Sequence, residues 1–548
     1  MNIKARISRL REKLNDYNID CFLVPSNDEF QSEYVSESLS RLKYISNFSG
    51  SNGLAVIFKD SALFFTDGRY LFQAKQEIDD SFEIHDIAEL FTYLPKVKIG
   101  YDPNLHTITN IERYKNHELV SCDNIIDAIW QNKPKAKSSE VFSYPLKYAG
   151  ETSENKRRKI QDYLEKQKID ALIITDSTNI CWLLNIRAHD VLYNPILNSY
   201  LIFYRDGKYE LFSNANEHFK LSEFIARLHS LKNLRVQLDP DTSSVTLINI
   251  LKNYVLAEDP CLLPKACKNP IEIKAAKEIH VIDGVAVTKL LYWLEKNYLS
   301  QSEISIANKL LELRLSSKRF IYPSFTTISA FAENGAIIHY SPKEKTNKIL
   351  SGKGLFLIDS GGQYWGGTTD ITRVIPIGSV TLQQKKDFTL VLKGHIALAN
   401  SVFPEGTSGD QLDALARYFL WQNGKDYAHG TGHGVGNALS VHEGPQRISK
   451  YSKVALKPGM IISNEPGYYK NGEYGIRIEN LMLVKKLANG YLAMETLSLA
   501  PIDKRLILTK MLSEDEKKWL NLYHRKVYKA LSPLLNDDER LWLKSKLL

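Results

Sequence analysis

Residues 429–445 read His429-Gly-Thr-Gly-His433-Gly-Val-Gly-Asn-Ala-Leu-Ser-Val-His442-Glu443-Gly-Pro445 and carry three histidines among closely spaced glycines. Glycine offers no side-chain contacts and costs backbone entropy on folding, so a packed core does not favour such a run. One interpretation is a backbone that lies close to another group, with imidazoles arranged around it. The other is a glycine-rich surface loop with incidental histidines. The rest of the chain has to decide between them, because a motif needs structural context.

The chain has the size and composition of a globular protein with several domains. Its 548 residues exceed what one core supports, and they predict about three or four domains of ordinary size. A hydrophobic content of 43% with 24% charged residues is typical of globular proteins in water. The net charge of +8 is small for this length, and no basic stripe with interleaved aromatic residues is present. We therefore expect no nucleic-acid partner.

Cysteine usage and the N-terminal segment predict a cytoplasmic protein. The five cysteines are odd in number and lack CxxC spacing, which favours reduced thiols over disulfides. Ile3, Ile7, Leu10 and Leu14 share one helical stripe between Arg and Lys residues, without the unbroken apolar segment of a signal peptide. No run approaches the roughly 18 to 20 apolar residues of a membrane span, so we expect no membrane association.

Two segments in the first half of the chain share one pattern. In each, an amphipathic helix pattern precedes an apolar run, 19–25 in the first segment and 169–175 in the second. Two further apolar runs follow, 54–58 and 63–66 in the first segment and 200–204 and 209–212 in the second. Helices that alternate with strands at this spacing predict two α/β domains of similar build. Chance similarity between two helix–strand units is the alternative.

Changes in composition indicate the domain boundaries. The segment 131–140 is polar, rich in Lys and interrupted by Pro134, as expected of a linker. A second boundary falls near 260–270, before a long helical pattern. Beyond residue 500 the chain becomes helical and charged, with Ser513 and Glu516 as a candidate capping box. The predicted fold class is α/β (α+β), with domains at 1–140, 150–262 as a duplicate of the first, 263–500 and a helical extension at 501–548.

The third domain carries acidic residues at the ends of apolar strands. The run 354–359 is apolar until it ends in Asp359, and a Ser-Gly-Gly turn follows it. The segment 368–373 then contains Asp370. The pattern predicts two strands joined by a turn, each of which delivers an aspartate.

Two further carboxylates follow later in the same domain. An apolar run ends in Glu465 directly before Pro466, and proline limits how far strand pairing can continue. The segment 475–484 opens with strict alternation, which predicts a strand there. Because side chains two apart share a face of a strand, Arg477 is expected beside Glu479.

These four carboxylates create a charge problem. An unpaired charge beside apolar strands is expensive, and Arg477 alone cannot neutralise four. Protonation, further cations or bound metal would each solve it. Four carboxylates with one imidazole and no thiolate form an oxygen-rich set that suits manganese better than structural zinc. Bridging carboxylates could hold two ions roughly 3.5 to 4 Å apart that share a hydroxide nucleophile for the hydrolysis of amides or esters.

Five motifs of the third domain contain these residues. They are Ile358-Asp359-Ser-Gly, Thr369-Asp370, His429-Gly-Thr-Gly-His433-Gly, Asn464-Glu465-Pro466-Gly467 and Gly475-Ile-Arg477-Ile-Glu479-Asn480. The pattern resembles the pita-bread metallopeptidases, and among them the three-domain Xaa-Pro aminopeptidases, also called aminopeptidase P. Further similar motifs are Gln31–Val35, Phe48–Ser51, Asn194-Pro195 and Asn334–Tyr340. The resemblance therefore covers nearly the whole chain.

The chain departs from the family pattern at two positions outside the ligand set. Phe30 stands where the family usually has His before Gln31, and Thr326 stands where it favours Pro. The resemblance implies two similar α/β N-terminal domains, a pita-bread catalytic domain and a homodimer. It also implies hydrolysis of the N-terminal Xaa-Pro bond of peptides by a hydroxide that bridges two metal ions.

The resemblance assigns a role to each site residue. The implied ions are two Mn²⁺ per subunit, with Co²⁺ or another divalent ion as an alternative. Their implied ligands are Asp359 for one ion, His433 and Glu465 for the other, and Asp370 and Glu479 as bridges. Glu465 would also take a proton from the bridging water. His339 and His442 would position the scissile carbonyl and stabilise the tetrahedral intermediate, while His429 and Arg477 would form the pocket wall and support the ligands.

Three other functions compete with this interpretation. Prolidase shares the implied fold and metal site but is restricted to dipeptides, and the duplicated N-terminal domains and the length argue against it. Methionine aminopeptidase lacks such N-terminal domains. A metal-free module, used as a binding scaffold or a creatinase-like hydrolase, would have lost ligands that this chain keeps. We expect His280 and His395, which lie on helical patterns outside the motifs, to be packing residues.

Overall fold

The protein, a computed structural model, is described over residues 1–135, 140–215 and 217–547. Its chain divides into two compact units, Met1–Leu146 with Glu151–Leu262 and Lys147–Gly150 with Leu263–Leu548. Residues 136–139 of the predicted linker lie outside the described residues. The four predicted domains stay a prediction, since the two units group them in pairs.

The N-terminal half of the first unit is built on a mixed sheet with helices packed against it. The apolar stripe of helix Ile3–Leu14 is buried, as its periodicity predicts. Strand Cys21–Pro25 is antiparallel to Leu54–Phe58 and parallel to Lys98–Tyr101. The strands follow the order Glu83–Asp86, Ala62–Thr66, Leu54–Phe58, Cys21–Pro25, Lys98–Tyr101 and Glu118–Ser121. The helices are Ile3–Leu14, Arg41–Ser46, Leu71–Glu77, Leu90–Tyr93, Ile108–Glu112 and Ile125–Ile129.

The second half of this unit repeats the same topology. Strand Ala171–Ile174 is antiparallel to Ser199–Tyr204 and parallel to Val236–Leu238. The strands follow the order Phe219–Lys220, Tyr209–Ser213, Ser199–Tyr204, Ala171–Ile174, Val236–Leu238 and Tyr254–Leu256. The helices are Ser153–Gln167, Ser177–Leu184, Leu221–Ser230 and Val245–Ile250. The prediction of two similar α/β domains is confirmed, because each strand pairs with its neighbours in the same sense in both halves.

The second unit combines antiparallel sheets with long helices. Strand Gly354–Ser360 lies between Ile328–Phe331 and Ile371–Ile377. The largest sheet has the order Val402–Phe403, Leu492–Thr496, Asn480–Lys486, Ile461–Asn464, Gly432–Gly434 and Glu443–Ile448. Smaller sheets contain Phe320–Pro323, Gly362–Tyr364 and Gly367–Thr368, and Gly467–Lys470 with Tyr474–Arg477. The longer helices are Pro270–Asn297, Glu303–Leu315, Leu382–Ala399, Gly409–Trp421, Glu514–Leu531 and Asp537–Ser545.

The C-terminal helices pack into the core of the second unit. Ser513 and Glu516 form the predicted capping box at the start of helix Glu514–Leu531. Its buried Leu520, Tyr523 and Val527 belong to the same apolar cluster as residues of strand Gly354–Ser360. The segment 501–547 therefore packs against the core of the second unit and contributes to it.

The prediction of one strand over 475–484 is wrong. The structure has two strands there, Tyr474–Arg477 and Asn480–Lys486, which belong to different sheets. Ile478 and Glu479 interrupt the ladder between them. The two strands that pair with them are interrupted at the same level, between Ile461–Asn464 and Gly467–Lys470. Pro466 lies in that gap and has no N–H to donate, so the ladder opens on both sides.

Two predictions about the whole chain can be compared with the structure. All five cysteines are free thiols, and Cys267 is the one that is partly exposed. Within the residues that the structure describes, no helix combines the length and the apolar character needed to cross a bilayer.

Candidate metal centre

The interrupted ladder turns two glutamates into the interior of the second unit. Arg477 pairs with Gly467 on one side of the gap, and Asn480 pairs with Asn464 on the other. Glu465 and Glu479 occupy the gap itself. The side chain of Glu479 accepts a hydrogen bond from the hydroxyl of Thr372 at 2.8 Å, while that of Glu465 accepts one from Ser463 at 3.2 Å.

Two aspartates reach the same place from the neighbouring antiparallel pair. Asp359 lies on strand Gly354–Ser360, opposite Thr372. Asp370 directly precedes strand Ile371–Ile377 and is 4% exposed. We call Asp359, Asp370, Glu465 and Glu479 the carboxylate cluster.

His433 joins the cluster from the glycine-rich stretch. Its Nδ1 lies 3.0 Å from the carbonyl oxygen of Gly434, so Nδ1 carries the proton and the lone pair of Nε2 faces the cluster. Nε2 lies 3.5 Å from Asp370 Oδ2 and 3.4 Å from Glu465 Oε1. The flanking glycines are required, because a Cβ on Gly432 would overlap the carbonyl oxygen of Ser463. The first interpretation of this stretch, a backbone in close approach, therefore describes it.

The donor atoms are arranged as they would be around a cation. One donor atom each from Asp370, His433 and Glu479 lies within 4.8 Å of the others. Oδ1 of Asp359 and Oδ1 of Asp370 are buried without a hydrogen-bond partner among the described residues. A buried carboxylate oxygen without a donor is costly, and a metal ion is a partner that these two oxygens fit. The residues present thus fit a divalent ion with oxygen and imidazole ligands.

The electrostatics of the cluster lead to the same conclusion. Burial raises the pKa of Asp370 well above its usual range, and the charges of Asp359 and Glu465 raise it further. Burial and the charge of Asp370 do the same to the pKa of Glu479. Burial and the charge of Glu479 raise the pKa of Glu465 to about 7. Arg477 lowers each of these pKa values, but burial and mutual repulsion outweigh it.

Arg477 connects the cluster to His429 through a tyrosine. Its guanidinium donates to Asp359 Oδ2 at 2.6 Å and to the hydroxyl of Tyr469 at 2.6 Å. Nδ1 of His429 lies 2.7 Å from the carbonyl oxygen of Gly430, so Nδ1 donates there and Nε2 accepts from Tyr469 at 2.8 Å. A predicted metal ligand, Asp359, and the predicted pocket wall are therefore joined by one chain of hydrogen bonds.

The other predicted histidines differ in their placement. The ring of His442 stands perpendicular to that of His433 with centroids 4.3 Å apart, so it borders the cluster. His339 is half-buried beyond the helical turn Ala332–Ala336, and its place at the substrate stays a prediction. His280 and His395 are fully buried on helices, as expected for packing residues.

Sequence reasoning missed three side chains that orient the site, namely Thr372, Ser463 and Tyr469. Thr372 was within reach, because it lies two residues after Asp370. Ser463 accepts from the backbone N–H of His433 at 2.9 Å and donates to Glu465, so it fixes two site residues at once. Nothing in the local pattern distinguishes Tyr469 from its neighbour Tyr468, since its role depends on contacts distant in sequence.

Comparison with family models covers most of the chain. A model of metallopeptidase family M24 matches residues 274–486, and a model of the C-terminal region of that peptidase matches 490–547. Models of the creatinase/prolidase N-terminal domain match 6–129 and 132–272. This order of creatinase-type domains before an M24 domain confirms the expected pita-bread architecture.

Similar proteins extend the comparison to the full length. The probable Xaa-Pro aminopeptidase P of Laccaria bicolor is 36% identical and covers 99% of this chain and 93% of its own. Aminopeptidase P1 of Lotus japonicus is 35% identical and covers 98% of both chains. Among solved structures, the X-prolyl aminopeptidase of Caenorhabditis elegans, described as a cytosolic enzyme with a di-nuclear active site, matches with a TM-score of 0.95 at 31% identity over 100% of both chains.

Proposed function

The chain belongs to metallopeptidase family M24 and, within it, to the Xaa-Pro aminopeptidase P enzymes, and from this membership we propose how it acts. It is a hydrolase that releases the N-terminal residue of peptides in which proline is second. Proline has no amide hydrogen and a fixed φ, so general peptidases accommodate it poorly and a dedicated site is needed.

One observation carries the proposal, namely the buried carboxylate cluster facing the free lone pair of His433. Unpaired oxygens on Asp359 and Asp370 support two ions instead of one, since each aspartate has an acceptor to offer. The di-nuclear site described for the Caenorhabditis elegans enzyme supports the same number. Asp359 would hold one ion, His433 and Glu465 would hold the other, and Asp370 and Glu479 would contribute to both.

The chemistry divides between the ions and the side chains. When bound, two divalent ions supply an electrophile for the carbonyl and a hydroxide nucleophile from water at neutral pH. Glu465 accepts the proton of the attacking water and delivers it to the leaving proline nitrogen. His442, beside His433, and His339 donate to the carbonyl oxygen as negative charge develops on it.

The remaining residues hold the site in shape. Arg477 fixes Asp359 through its bonds to Oδ2 and orients Tyr469. Tyr469 in turn fixes the ring of His429, which we assign to the wall against the proline ring.

The finer properties of the enzyme are part of the proposal. An oxygen-rich ligand set supports Mn²⁺, with Co²⁺ as the alternative. A cytoplasmic location is supported by the free thiols and by the description of the Caenorhabditis elegans enzyme as cytosolic. The homodimer rests on the family resemblance alone.

Metal removal and a substrate panel test this function. Chelated and dialysed protein should lose activity on a tripeptide with proline second, and Mn²⁺ should restore it. Full turnover without bound metal would remove the cluster from the mechanism. An Xaa-Pro dipeptide and a longer proline-second peptide separate the rival functions, because cleavage of the dipeptide alone would make the protein a prolidase.

A further inference from the structure

The carboxylate of Glu303 closes the loop that carries His339. Glu303 is the first residue of helix Glu303–Leu315 and is 0% exposed. Its Oε1 accepts from the backbone N–H of Phe331 at 2.7 Å and the amide of Asn334 at 2.9 Å, and its Oε2 accepts from the hydroxyl of Tyr340 at 2.8 Å and the backbone N–H of Lys348 at 3.0 Å. One side chain thus binds both ends of the segment 331–348 and its middle.

The backbone around Glu303 reinforces this closure. The N–H of Glu303 donates to the carbonyl oxygen of Lys348 at 3.0 Å. The hydroxyl of Ser329, just before the loop, donates to the carbonyl oxygen of Glu303 at 2.7 Å. Both ends of the loop 331–348 therefore lie at the N-terminus of helix Glu303–Leu315.

The loop is also fixed against the strand that carries Arg477. A Cβ on Gly475 would overlap the carbonyl oxygen of Gly335, so the two backbones touch without side chains between them. Glycine is required at such a close approach. The position of the loop relative to the carboxylate cluster is consequently set by backbone contact as well as by Glu303.

Only an ionised carboxylate satisfies this arrangement. Four donors converge on two oxygens, and each oxygen has lone pairs for two of them. A glutamine would direct its NH₂ group at one pair of these donors, so the backbone N–H of Phe331 or of Lys348 would lose this acceptor. Because Tyr340 adjoins His339, its bond to Glu303 fixes the backbone direction at the histidine.

We propose that Glu303 is a positioning residue for the reaction, which acts through His339 by holding the loop 331–348 in one conformation. The inference rests on the proposed function, since it takes His339 as a donor to the reacting carbonyl. A group held outside the substrate site can still control the rate, because a displacement of about 1 Å at a reacting group can cost about 100-fold.

A double-mutant cycle on the full-length metal-loaded enzyme tests this. The variants are Glu303→Gln, His339→Ala and the double variant, with a proline-second tripeptide as substrate. Glu303→Gln should lower kcat by about 10- to 100-fold with little change in KM. In the His339→Ala background the same change should cost less than about twofold, because residues that act through one another are not additive. Glu333→Gln, which removes only an ion pair with Lys348 on the same loop, is the matched control and should keep wild-type kinetics.

The possible outcomes separate the inference from the proposed function. Losses that multiply in the double variant, or a loss of bound metal in Glu303→Gln, would overturn the role of Glu303 and leave the proposed function standing. Wild-type kinetics in His339→Ala would remove His339 from the reaction and this inference with it. If Glu303→Gln does not fold, Tyr340→Phe takes its place in the cycle, because it keeps the carboxylate and removes one of its donors, together with the bonds of that hydroxyl to Asn334 and Thr346.

Discussion

Two groups of buried charge adjoin at strand Gly354–Ser360, and they are balanced in different ways. Behind the strand, Asp283 accepts from Arg314 at 2.7 Å and from the hydroxyl of Tyr364 at 2.7 Å, and Arg314 also donates to Ser360 at 3.1 Å. One residue earlier, Asp359 enters the carboxylate cluster, where four acidic groups share the charge of Arg477. We call Asp283 and Arg314 the balanced pair.

The contrast shows which property indicates a site. Both groups are buried, so burial of charge does not separate them. In the balanced pair the opposite charges are matched and the carboxylate oxygens have donors. In the carboxylate cluster Asp359 and Asp370 each keep an oxygen without a donor among the described residues. Uncompensated charge, which a protein tolerates only where a ligand or chemistry needs it, is the informative feature.

The largest expected effect is on catalysis, from Glu465→Gln. The amide keeps the shape of the side chain but cannot accept a proton, so kcat should fall by about 10²- to 10⁴-fold. The fold should remain intact, because the change removes a repulsive charge from the cluster. Steady-state kinetics together with metal content checks this. Glu405→Gln, at an exposed pair with Lys486, is the control, and wild-type turnover in Glu465→Gln would exclude that residue as the base.

The next prediction compares one substitution in each of the two groups. Asp283→Asn leaves Arg314 buried without a counter-charge, which should cost about 3–5 kcal/mol of stability and lower the melting temperature. Asp370→Asn should abolish activity yet leave the melting temperature of the metal-free protein unchanged or higher. Thermal melts in chelator compare the two variants. Equal destabilisation by both would mean that the protein itself compensates the charge of the cluster.

The two groups also differ in how far the sequence predicts them. The four acidic members of the cluster lie on apolar runs or at their ends, so pattern reasoning finds them, and the family resemblance adds His433. The balanced pair links two helices to a strand that follows later in the sequence. The residues around Asp283 do not distinguish it from a solvated aspartate. The same limit hides Tyr469 and Glu303, whose roles depend on partners far along the chain.

The sequence also predicts one part of the fold and misses another. Periodicity predicts the repeated helix–strand units, since each half buries one apolar stripe against its own sheet. It fails at 475–484, where alternation continues through Ile478 and Glu479 although the ladder does not. All four residues from Ile476 to Glu479 are buried. The alternation of apolar and charged residues therefore did not correspond to an alternation of buried and exposed side chains. Pro466, which lies between the two strands that pair with this segment, was the available sequence signal for the interruption.

A third prediction concerns pH and applies to the cluster alone. The folded-state pKa of Glu465 is about 7, above its ordinary value of 4.5, and those of Asp370 and Glu479 are raised in the same direction. Between pH 4.5 and about pH 7, Glu465 therefore holds more protons in the folded protein than in the unfolded chain. The contribution of the cluster to the stability of the metal-free protein should therefore be largest at low pH and be lost as pH rises through about 7.

Bound metal should remove that loss, because it replaces the protons as the compensating charge. The gap between melting temperatures in Mn²⁺ and in chelator should widen from about pH 5 to about pH 8. Asp370→Asn in chelator should show a weaker pH dependence than the parent protein. A gap that stays constant over this range would contradict the charge balance described for the cluster.

The smallest expected effect comes from Thr372, whose hydroxyl contacts the carboxylate cluster and its arginine. Its hydroxyl donates to Glu479 at 2.8 Å and accepts from Arg477 at 3.2 Å. Thr372→Val keeps the shape and removes both bonds, so Glu479 should hold its ions less firmly. Support of this kind is typically worth about 10- to 100-fold in metal affinity. At saturating Mn²⁺, kcat should stay close to that of the parent enzyme, because no reacting group is removed.

Thr288 offers a matched control for this substitution. It is a buried threonine on helix Pro270–Asn297, and its hydroxyl has no hydrogen-bond partner among the described residues. Thr288→Val should therefore leave metal affinity unchanged. Titration of Mn²⁺ into the three chelated proteins, followed by activity and by calorimetry, measures the difference. Equal affinities in both valine variants would mean that Glu479 is held by the interrupted ladder alone, and that the hydroxyl of Thr372 contributes only to packing.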